Sequence, residues 1–229
     1  MTEHALIVGA GPGLSASLAK LFTDEGMTVS LAARDTRKLS ALCKETSAKA
    51  FNCDASDPQS VECLFQQLDD NERLPDLVVY NAGVYTRGPI IDLDVEAVRN
   101  VLMVNAFGAM LVARQAARHM LEQGSGALLF TGASAGVKGY AQSAPFAMGK
   151  FALRGLCQSL ARELSPKNIH VAHFVIDGCI LQPERGAPFD DPDTTLHPDE
   201  IAKTYLAIAK QDRSAWTWEV ELRPSVEDF

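Results

Sequence analysis

The stretch Ala5-Leu-Ile-Val-Gly-Ala-Gly-Pro-Gly-Leu-Ser15 decides the fold class of this chain. Residues 5–8 form a short apolar run that ends at a glycine, a pattern typical of a strand buried on both faces. Apolar side chains then return at helical spacing, at Leu14, Leu18, Leu21 and Phe22. Glycines between a strand and a helix permit positive φ and let backbone amides approach a pyrophosphate, which the helix N-terminus stabilises. The stretch therefore predicts a strand–turn–helix unit suited to binding a dinucleotide.

The rest of the chain continues this alternation of strands and helices. Further strands are predicted at residues 28–33, 50–53, 77–80, 127–130, 169–176 and 216–222. Further helices are predicted at residues 37–46, from Pro58 onward, at 95–121, at 146–164 and from Pro198 onward. Asp57 is expected to cap the helix that begins with Pro58. Strands that alternate with helices give a parallel sheet covered on both faces, the doubly wound, Rossmann-like α/β class. We expect one domain over residues 1–229, with an acidic, proline-rich substrate loop near residues 183–198.

Composition narrows the class of protein and its partners. Of the 229 residues, 47% are hydrophobic, enough for one well-buried core. A formal net charge of −8 argues against nucleic-acid and anionic-membrane partners, which favour clustered positive charge. Five cysteines without a CxxC pair indicate reduced thiols. With no signal-like start and no apolar stretch near the ~20 residues of a membrane span, we expect a cytoplasmic protein that acts on a small molecule.

A second informative stretch is Thr131-Gly-Ala-Ser-Ala-Gly-Val-Lys-Gly-Tyr140, followed by Phe146-Ala-Met-Gly-Lys150. A strand end, a glycine-rich loop and a helix start are where an α/β sheet presents its chemistry. Lys150 is costly on an apolar helix face unless it has a partner, so it either binds a ligand or reaches solvent. Asn105, within an apolar helix, either serves the site or makes a structural hydrogen bond.

The spacing of these motifs resembles that of the short-chain dehydrogenase/reductase family. Gly9, Gly13 and Ser15 fit its GxxxGxG turn, whereas the commoner GxGxxG pattern would require glycine in place of Leu14. Asn81-Ala-Gly83 is similar to its NAG motif, and Lys150 to the lysine of its YxxxK motif. The resemblance covers almost the whole chain.

The resemblance implies a set of cofactor-binding residues. They are Gly9, Gly11, Pro12, Gly13, Leu14, Arg34, Asp54, Ala55, Asn81, Ala82, Gly83, Lys150, Gly178 and Ile180. Within this set, Asp54 corresponds to the family's adenine-contacting aspartate, and residues 176–180 to its turn beside the nicotinamide. Arg34 follows the second strand, and no carboxylate occupies position 33. Because an arginine pairs with the 2′-phosphate, we predict NADP(H), the alternative being that Arg34 is a solvated surface residue.

The same resemblance implies a catalytic apparatus of which two members are missing. In the family, a tyrosine transfers the substrate proton, a lysine four residues later lowers its pKa and binds the nicotinamide ribose, a serine polarises the carbonyl and an asparagine holds a water molecule. Carried over, the lysine is Lys150 and the asparagine is Asn105, but Phe146 and Ala133 occupy the tyrosine and serine positions. Neither replacement has a polar side-chain group.

Three interpretations of this departure remain open. In the first, the protein is an oxidoreductase and another group transfers the proton: Tyr140 is the catalytic candidate, with Ser134, Ser143 and Asp177 as alternatives. In the second, the fold binds NADP(H) without turnover, as a sensor or scaffold. In the third, Ser134 replaces the missing serine through a local shift in register.

Other functional classes have no support in the sequence. His170 and His173 lie on a predicted strand and are expected to be structural, and no His/Cys/carboxylate group has metal-ligand spacing. A GxSxG elbow is absent, which leaves a hydrolase unsupported. By the same resemblance we expect a homodimer or homotetramer through the helix that carries Lys150. Residues 84–89, 140–145 and the segment from Pro183 are expected to shape the substrate pocket.

Overall fold

The computed structural model describes residues 3–182 and 192–226. Its main sheet has seven strands: β1 His4–Val8, β2 Thr28–Ala33, β3 Lys49–Asn52, β4 Leu77–Tyr80, β5 Gly126–Thr131, β6 Ile169–Ile176 and, last in the chain, β9 Glu219–Leu222. Two short strands, β7 Cys179–Ile180 and β8 Thr195–Leu196, pair separately. The order of the main sheet is β3-β2-β1-β4-β5-β6-β9, and all its pairings are parallel. The predicted fold class, a doubly wound parallel sheet, is confirmed.

Helices cover both faces of this sheet. They are α1 Leu14–Asp24, α2 Ser40–Thr46, α3 Pro58–Asp70, α4 Val95–Leu102, α5 Gly108–Gln123, α6 Ala144–Leu164 and α7 Pro198–Ala209. Side chains alternate across each strand, so Leu6 and Val8 pack with α3, α5 and α6, whereas Ala5 and Ile7 pack with α1 and α7. The two layers bury two apolar clusters, which fix the helices relative to the strand ends.

Strand order reverses on either side of β1, which has β2 on one side and β4 on the other. The loops that follow β1 and β4 therefore run in opposite directions from the carboxyl ends of these strands, which leaves a crevice between them. In open α/β sheets, ligands bind in this crevice. The glycine turn after β1 and the Asn81-Ala-Gly turn after β4 both lie there.

Helices α4 and α5 form one continuous helix, Val95–Gln123, interrupted by a π-helical segment at Met103–Phe107. By length and hydropathy alone this helix would be long and apolar enough to cross a membrane, which corrects the expectation that no stretch comes near that length. Its buried residues Ala109, Val112 and Ala116 pack against the sheet, as expected for the core helix of an α/β domain.

Several element boundaries differ from the predictions. Helix α6 begins at Ala144 rather than at residue 146, because Pro145 suits a first helical turn. Strand β9 begins at Glu219 rather than at 216, because Trp216 stacks on His170 with ring centroids 4.6 Å apart and leaves the ladder. The expected cap of α3 is confirmed, since the Asp57 carboxylate accepts hydrogen bonds from two backbone amides. Of the expected substrate loop, residues 183–191 lie outside the described residues.

Candidate active site

The glycine turn after β1 is held close to the NAG turn. Gly9 has φ +85°, and a Cβ there would lie 2.3 Å from the Ala82 nitrogen, so no other residue fits. A Cβ on Gly11 or Gly13 would instead meet nothing within 4 Å. The turn is therefore packed on its inner side and open on its outer side, where a ligand can approach the backbone.

Hydrogen bonds join the turn to strand β4. The Asn81 side-chain amide donates to Ser15 Oγ at 2.8 Å, and Ser15 Oγ donates to the Gly9 carbonyl at 3.2 Å. The Asn81 backbone amide donates to Val8 at 2.8 Å. Asn81 therefore fixes the geometry of the turn. The side chain of Leu14 is buried in the core, so only its backbone can face a ligand.

A narrow cleft of about 230 Å³ runs along the strand ends beside this turn. Seven of the expected cofactor residues line it: Gly9, Arg34, Asp54, Ala55, Asn81, Ala82 and Gly83. Gly11, Pro12, Gly13 and Leu14 are not among its lining residues. The Asp54 carboxylate accepts hydrogen bonds from the amide and hydroxyl of Ser56, and these bonds lower its pKa.

Arg34 is the basic residue of this cleft. Its side chain is exposed, and among the described residues it makes no salt bridge. The nearby Arg37 differs, because its guanidinium binds the Asp35 carboxylate at 2.8 Å and 3.0 Å. Arg34 is therefore available to an anionic ligand, while Arg37 already has a partner.

A wider pocket of about 930 Å³ continues from the cleft, and the two share Gly83 and Val84. Four further candidate residues line it: Tyr140, Lys150, Gly178 and Ile180. Gly178 has φ +149°, and a Cβ there would lie 2.8 Å from Pro224, so a larger residue would be strained. The fold thus brings the adenine-side and nicotinamide-side candidates into one continuous groove.

Lys150 lies at the junction of cleft and pocket. Its side chain is 5% exposed, and Nζ donates a hydrogen bond to the Thr131 carbonyl at 2.8 Å. Burial lowers its pKa to about 8. Of the two expectations for this lysine, the structure excludes the one in which it reaches solvent. No carboxylate lies within salt-bridge distance among the described residues, so its charge has no counter-ion of its own.

Asn105 lies in the π-helical segment and is fully buried. Its Oδ1 accepts from the Val84 amide at 2.7 Å, and its Nδ2 donates to the Val84 carbonyl at 3.0 Å. The side chain therefore holds the loop that forms one wall of the pocket. This favours the structural alternative, and a part for Asn105 in the proton path of Lys150 stays a prediction.

Two aromatic rings pack together in the pocket, Phe146 from α6 and Tyr85 from the loop that Asn105 holds. Phe146 lies one helical turn before Lys150, and its ring centroid is 5.7 Å from the lysine Nζ. Tyr85 packs edge-on against Phe146, with centroids 4.9 Å apart. Ala133 and Ser134 also line the pocket. The pocket is therefore apolar around Phe146, and Tyr85 and Tyr140 are among its lining residues.

Tyr140 lies in a polar cluster with Lys138, two residues before it in the same loop, and with Asp177, which follows β6. Lys138 Nζ lies 5.5 Å from the Tyr140 ring centroid and 3.3 Å from Asp177 Oδ2. Asp177 is 2% exposed, and its carboxylate also faces Arg223 at 3.6 Å. Sequence reasoning missed Lys138 altogether and did not single out Tyr85. Their only sequence signal is their position in loops that follow strand ends.

The two strand histidines lie away from the pocket lining, and both are buried. His173 Nδ1 lies 3.1 Å from Glu219, and burial lowers its pKa to about 4. His170 Nε2 lies 2.9 Å from the Thr217 carbonyl. Both fit the expected structural role. A separate concavity of about 1060 Å³ lies at the amino ends of the strands, the opposite edge from the candidate site.

Comparison with known proteins agrees with this geometry. Residues 3–181 match the family model described as short chain dehydrogenase. A carbonyl reductase family member 4 from Xenopus tropicalis is 28% identical over 172 residues, 75% of this chain and 73% of its own. A short-chain dehydrogenase structure from Rhodopseudomonas palustris is 33% identical, with a TM-score of 0.81, and covers 96% of this chain and 98% of its own. A metagenomic short-chain oxidoreductase in complex with NADP is 25% identical, with a TM-score of 0.85 and 98% coverage of both chains. The chain belongs to the short-chain dehydrogenase/reductase family.

Proposed function

We propose that this protein is an NADP(H)-dependent oxidoreductase that acts on a carbonyl or alcohol substrate with an atypical proton donor. The observation that carries the proposal is Lys150, a buried ammonium without a counter-ion at the junction of cleft and pocket. A buried charge is costly unless a partner satisfies it, and the hydroxyls of a ribose are suitable partners. The similarity to a protein named carbonyl reductase supports this class of substrate.

The residues of the groove fit a dinucleotide. The open outer face of Gly11 and Gly13 leaves room for a pyrophosphate, Asp54 lies in the cleft for the adenine, and Lys150 and Gly178 lie where the nicotinamide end would bind. When bound, the cofactor supplies or accepts a hydride. The chain itself orients the ring, excludes water from the apolar wall around Phe146, and transfers a proton at the substrate oxygen.

A preference for NADP(H) over NAD(H) is proposed from Arg34. Its unpaired guanidinium lines the adenine-side cleft and is suited to a 2′-phosphate. The similar metagenomic oxidoreductase was solved with NADP, which supports the same choice. Titration of the protein with NADPH and NADH tests it: we expect tighter binding of NADPH, and loss of the preference in Arg34→Ala. Arg37→Ala is the matched control, because that guanidinium is bound to Asp35. Equal binding of both cofactors by the wild type would overturn the preference.

The atypical chemistry is proposed from Phe146 and Ala133, which occupy the positions of the family's tyrosine and serine. With neither group present, the donor we propose is Tyr140, which lines the same pocket and is half-exposed. General acid–base catalysis contributes roughly 10²–10⁴-fold, so a hydride-transfer enzyme with a displaced donor can remain active. Lys150 then retains its contact with the cofactor, and Asn105 retains its support of the pocket wall.

A second candidate function is favoured by Phe146 itself. If no group replaces the tyrosine, the protein binds NADP(H) without turnover, as a sensor or scaffold. NADPH oxidation with a panel of ketones, dicarbonyls and quinones separates the two, with Phe146→Tyr beside the wild type. Turnover by the wild type supports the enzyme. Binding without turnover, together with activity gained in Phe146→Tyr, supports the sensor or scaffold.

The proposed setting of the protein is a cytoplasmic homodimer or homotetramer that binds a small molecule and neither nucleic acid nor membrane. The five cysteines are free, which suits a reducing compartment. Apolar side chains are exposed along the helix of Lys150 and the neighbouring core helix, at Phe107, Met148 and Phe151. Light scattering of the purified protein tests the assembly; a monomer at micromolar concentration would contradict it.

A further inference from the structure

We propose that Lys138 is a positioning residue that holds the Tyr140 hydroxyl in the substrate pocket and stabilises the negative charge left on it after proton transfer. The proposal rests on the proposed function, in which Tyr140 is the donor. It gives Lys138 a role that the sequence motifs do not predict and that Lys150, which lies beside Phe146, does not perform.

Lys138, Tyr140 and Asp177 lie close together beside the pocket. Lys138 Nζ is shared between the Asp177 carboxylate, at 3.3 Å, and the Tyr140 ring, whose centroid lies 5.5 Å away. The neighbouring side chains of Tyr140 and Asp177 raise the pKa of Lys138. Since both partners line the pocket, the ammonium links the tyrosine to the pocket wall.

Asp177 anchors the cluster to the main sheet. Its side chain is buried, and its backbone amide donates to the Leu222 carbonyl at 2.8 Å, which ties the end of β6 to the end of β9. Its carboxylate also faces Arg223, which itself pairs with Glu221. Lys138 therefore joins the exposed side chain of Tyr140 to the buried Asp177, at the ends of β6 and β9.

The two lysines lie beside different aromatic rings. Lys150 is buried beside the phenyl ring of Phe146, which has no group that can ionise. Tyr140 instead has an ammonium of its own beside it. Lys138 Nζ lies 5.5 Å from the Tyr140 ring centroid, and a positive charge this close stabilises negative charge that develops on the phenol oxygen. The chain thus retains a phenol next to an ammonium, but places the pair in the loop rather than on helix α6.

The chemical step balances with the cofactor already proposed. NADPH supplies the hydride and is oxidised to NADP⁺, while the carbonyl carbon is reduced. The electron pair of the C=O π bond moves to the oxygen, which takes the proton as the Tyr140 O–H bond breaks. The phenolate left behind is stabilised by Lys138, and because Tyr140 is 46% exposed, solvent can return the proton.

A double-mutant cycle in the full-length protein tests the proposal. We measure kcat, KM and the NADPH dissociation constant for the wild type, Lys138→Met, Tyr140→Phe and the double variant. Lys138→Arg tests rescue, and Lys44→Met, at an exposed surface lysine, is the control for the substitution. We expect Tyr140→Phe to lower kcat by roughly 10²–10⁴-fold and Lys138→Met by about tenfold, with KM and NADPH binding unchanged. The double variant should be no slower than Tyr140→Phe, because the lysine acts through the tyrosine.

The outcomes are distinct. A wild type that binds NADPH but turns over no member of the panel refutes the proposed oxidoreductase and this inference with it. Turnover that Lys138→Met leaves unchanged refutes the inference alone, as does an equal loss of kcat in the wild-type and Tyr140→Phe backgrounds. Recovery of kcat in Lys138→Arg supports a role of the charge. An unchanged melting temperature for Lys138→Met, whose side chain is 41% exposed, excludes a folding defect.

Discussion

Replacing Lys150 by methionine should stabilise the protein near neutral pH and at the same time weaken its binding of NADPH. Methionine has nearly the length of lysine and no charge, so it fills the same buried space between the Thr131 carbonyl and the Phe146 ring. The prediction follows from the cost of keeping an ammonium buried in the proposed cofactor site. The variant therefore tests whether the buried charge of Lys150 is present before any cofactor binds.

The magnitude follows from the pKa of Lys150. Burial lowers this pKa from 10.5 to about 8, and at about 1.4 kcal/mol per pH unit the buried charge costs about 3 kcal/mol. The variant loses the hydrogen bond to Thr131, which is worth about 1 kcal/mol. We therefore expect Lys150→Met to raise the free energy of unfolding by about 2 kcal/mol near neutral pH.

The pH dependence of the stability difference distinguishes the loss of a buried charge from a change in packing, because a packing effect would not vary with pH in this way. Between the native pKa of about 8 and the unfolded value of 10.5, the unfolded chain binds a proton that the native protein has released. The stability of the wild type relative to the variant therefore rises with pH through this window and is lowest below it. The advantage of Lys150→Met should shrink steadily above pH 8.

Urea unfolding of the cofactor-free protein, followed by circular dichroism at several pH values, measures this difference. Other titrating groups are common to both proteins and cancel. Lys44→Met, at an exposed position, should show no such trend. A stability difference between wild type and Lys150→Met that stays constant across pH would refute a buried ammonium. Undiminished NADPH binding by the variant would refute its role at the cofactor.

Three further predictions test the packing around the site by urea unfolding. Gly132→Ala should destabilise the protein by about 1–3 kcal/mol, because a Cβ there would lie 2.2 Å from His173 Nε2; the double variant with His173→Ala should lose less than the sum of the two single variants. Gly9→Ala should lower the free energy of unfolding by more than the roughly 1–2 kcal/mol that a left-handed backbone costs, and it should also weaken NADPH binding. Gly26→Ala is the control: Gly26 has φ +84° and nothing within 4 Å of a Cβ, so this variant should show the backbone cost alone. Asp57→Ala should cost about 1 kcal/mol through the lost helix cap without changing NADPH binding; a cost as large as that of Gly9→Ala would contradict this assignment.

Local patterns were sufficient for the strands and helices of this protein. An apolar run that ends at a glycine predicted β1, and Asp57 followed by a proline predicted the start of α3. Each depends on neighbours within a few residues, where periodicity and capping chemistry act. Boundaries were less certain where tertiary contacts compete with the local preference. Trp216 shows this, since its stacking on His170 shortens the last strand.

What the sequence alone determined is therefore the element order, the glycine turn after β1 and the presence of a lysine with no obvious partner at position 150. What only the tertiary structure decided is how distant residues meet: Asn105 holds Val84 across 21 residues, and Lys138 reaches Asp177 across 39. These contacts depend on how the helices pack on the sheet and on where loops from different strand ends converge. No local periodicity encodes that convergence, because each partner is set by a different segment of the chain.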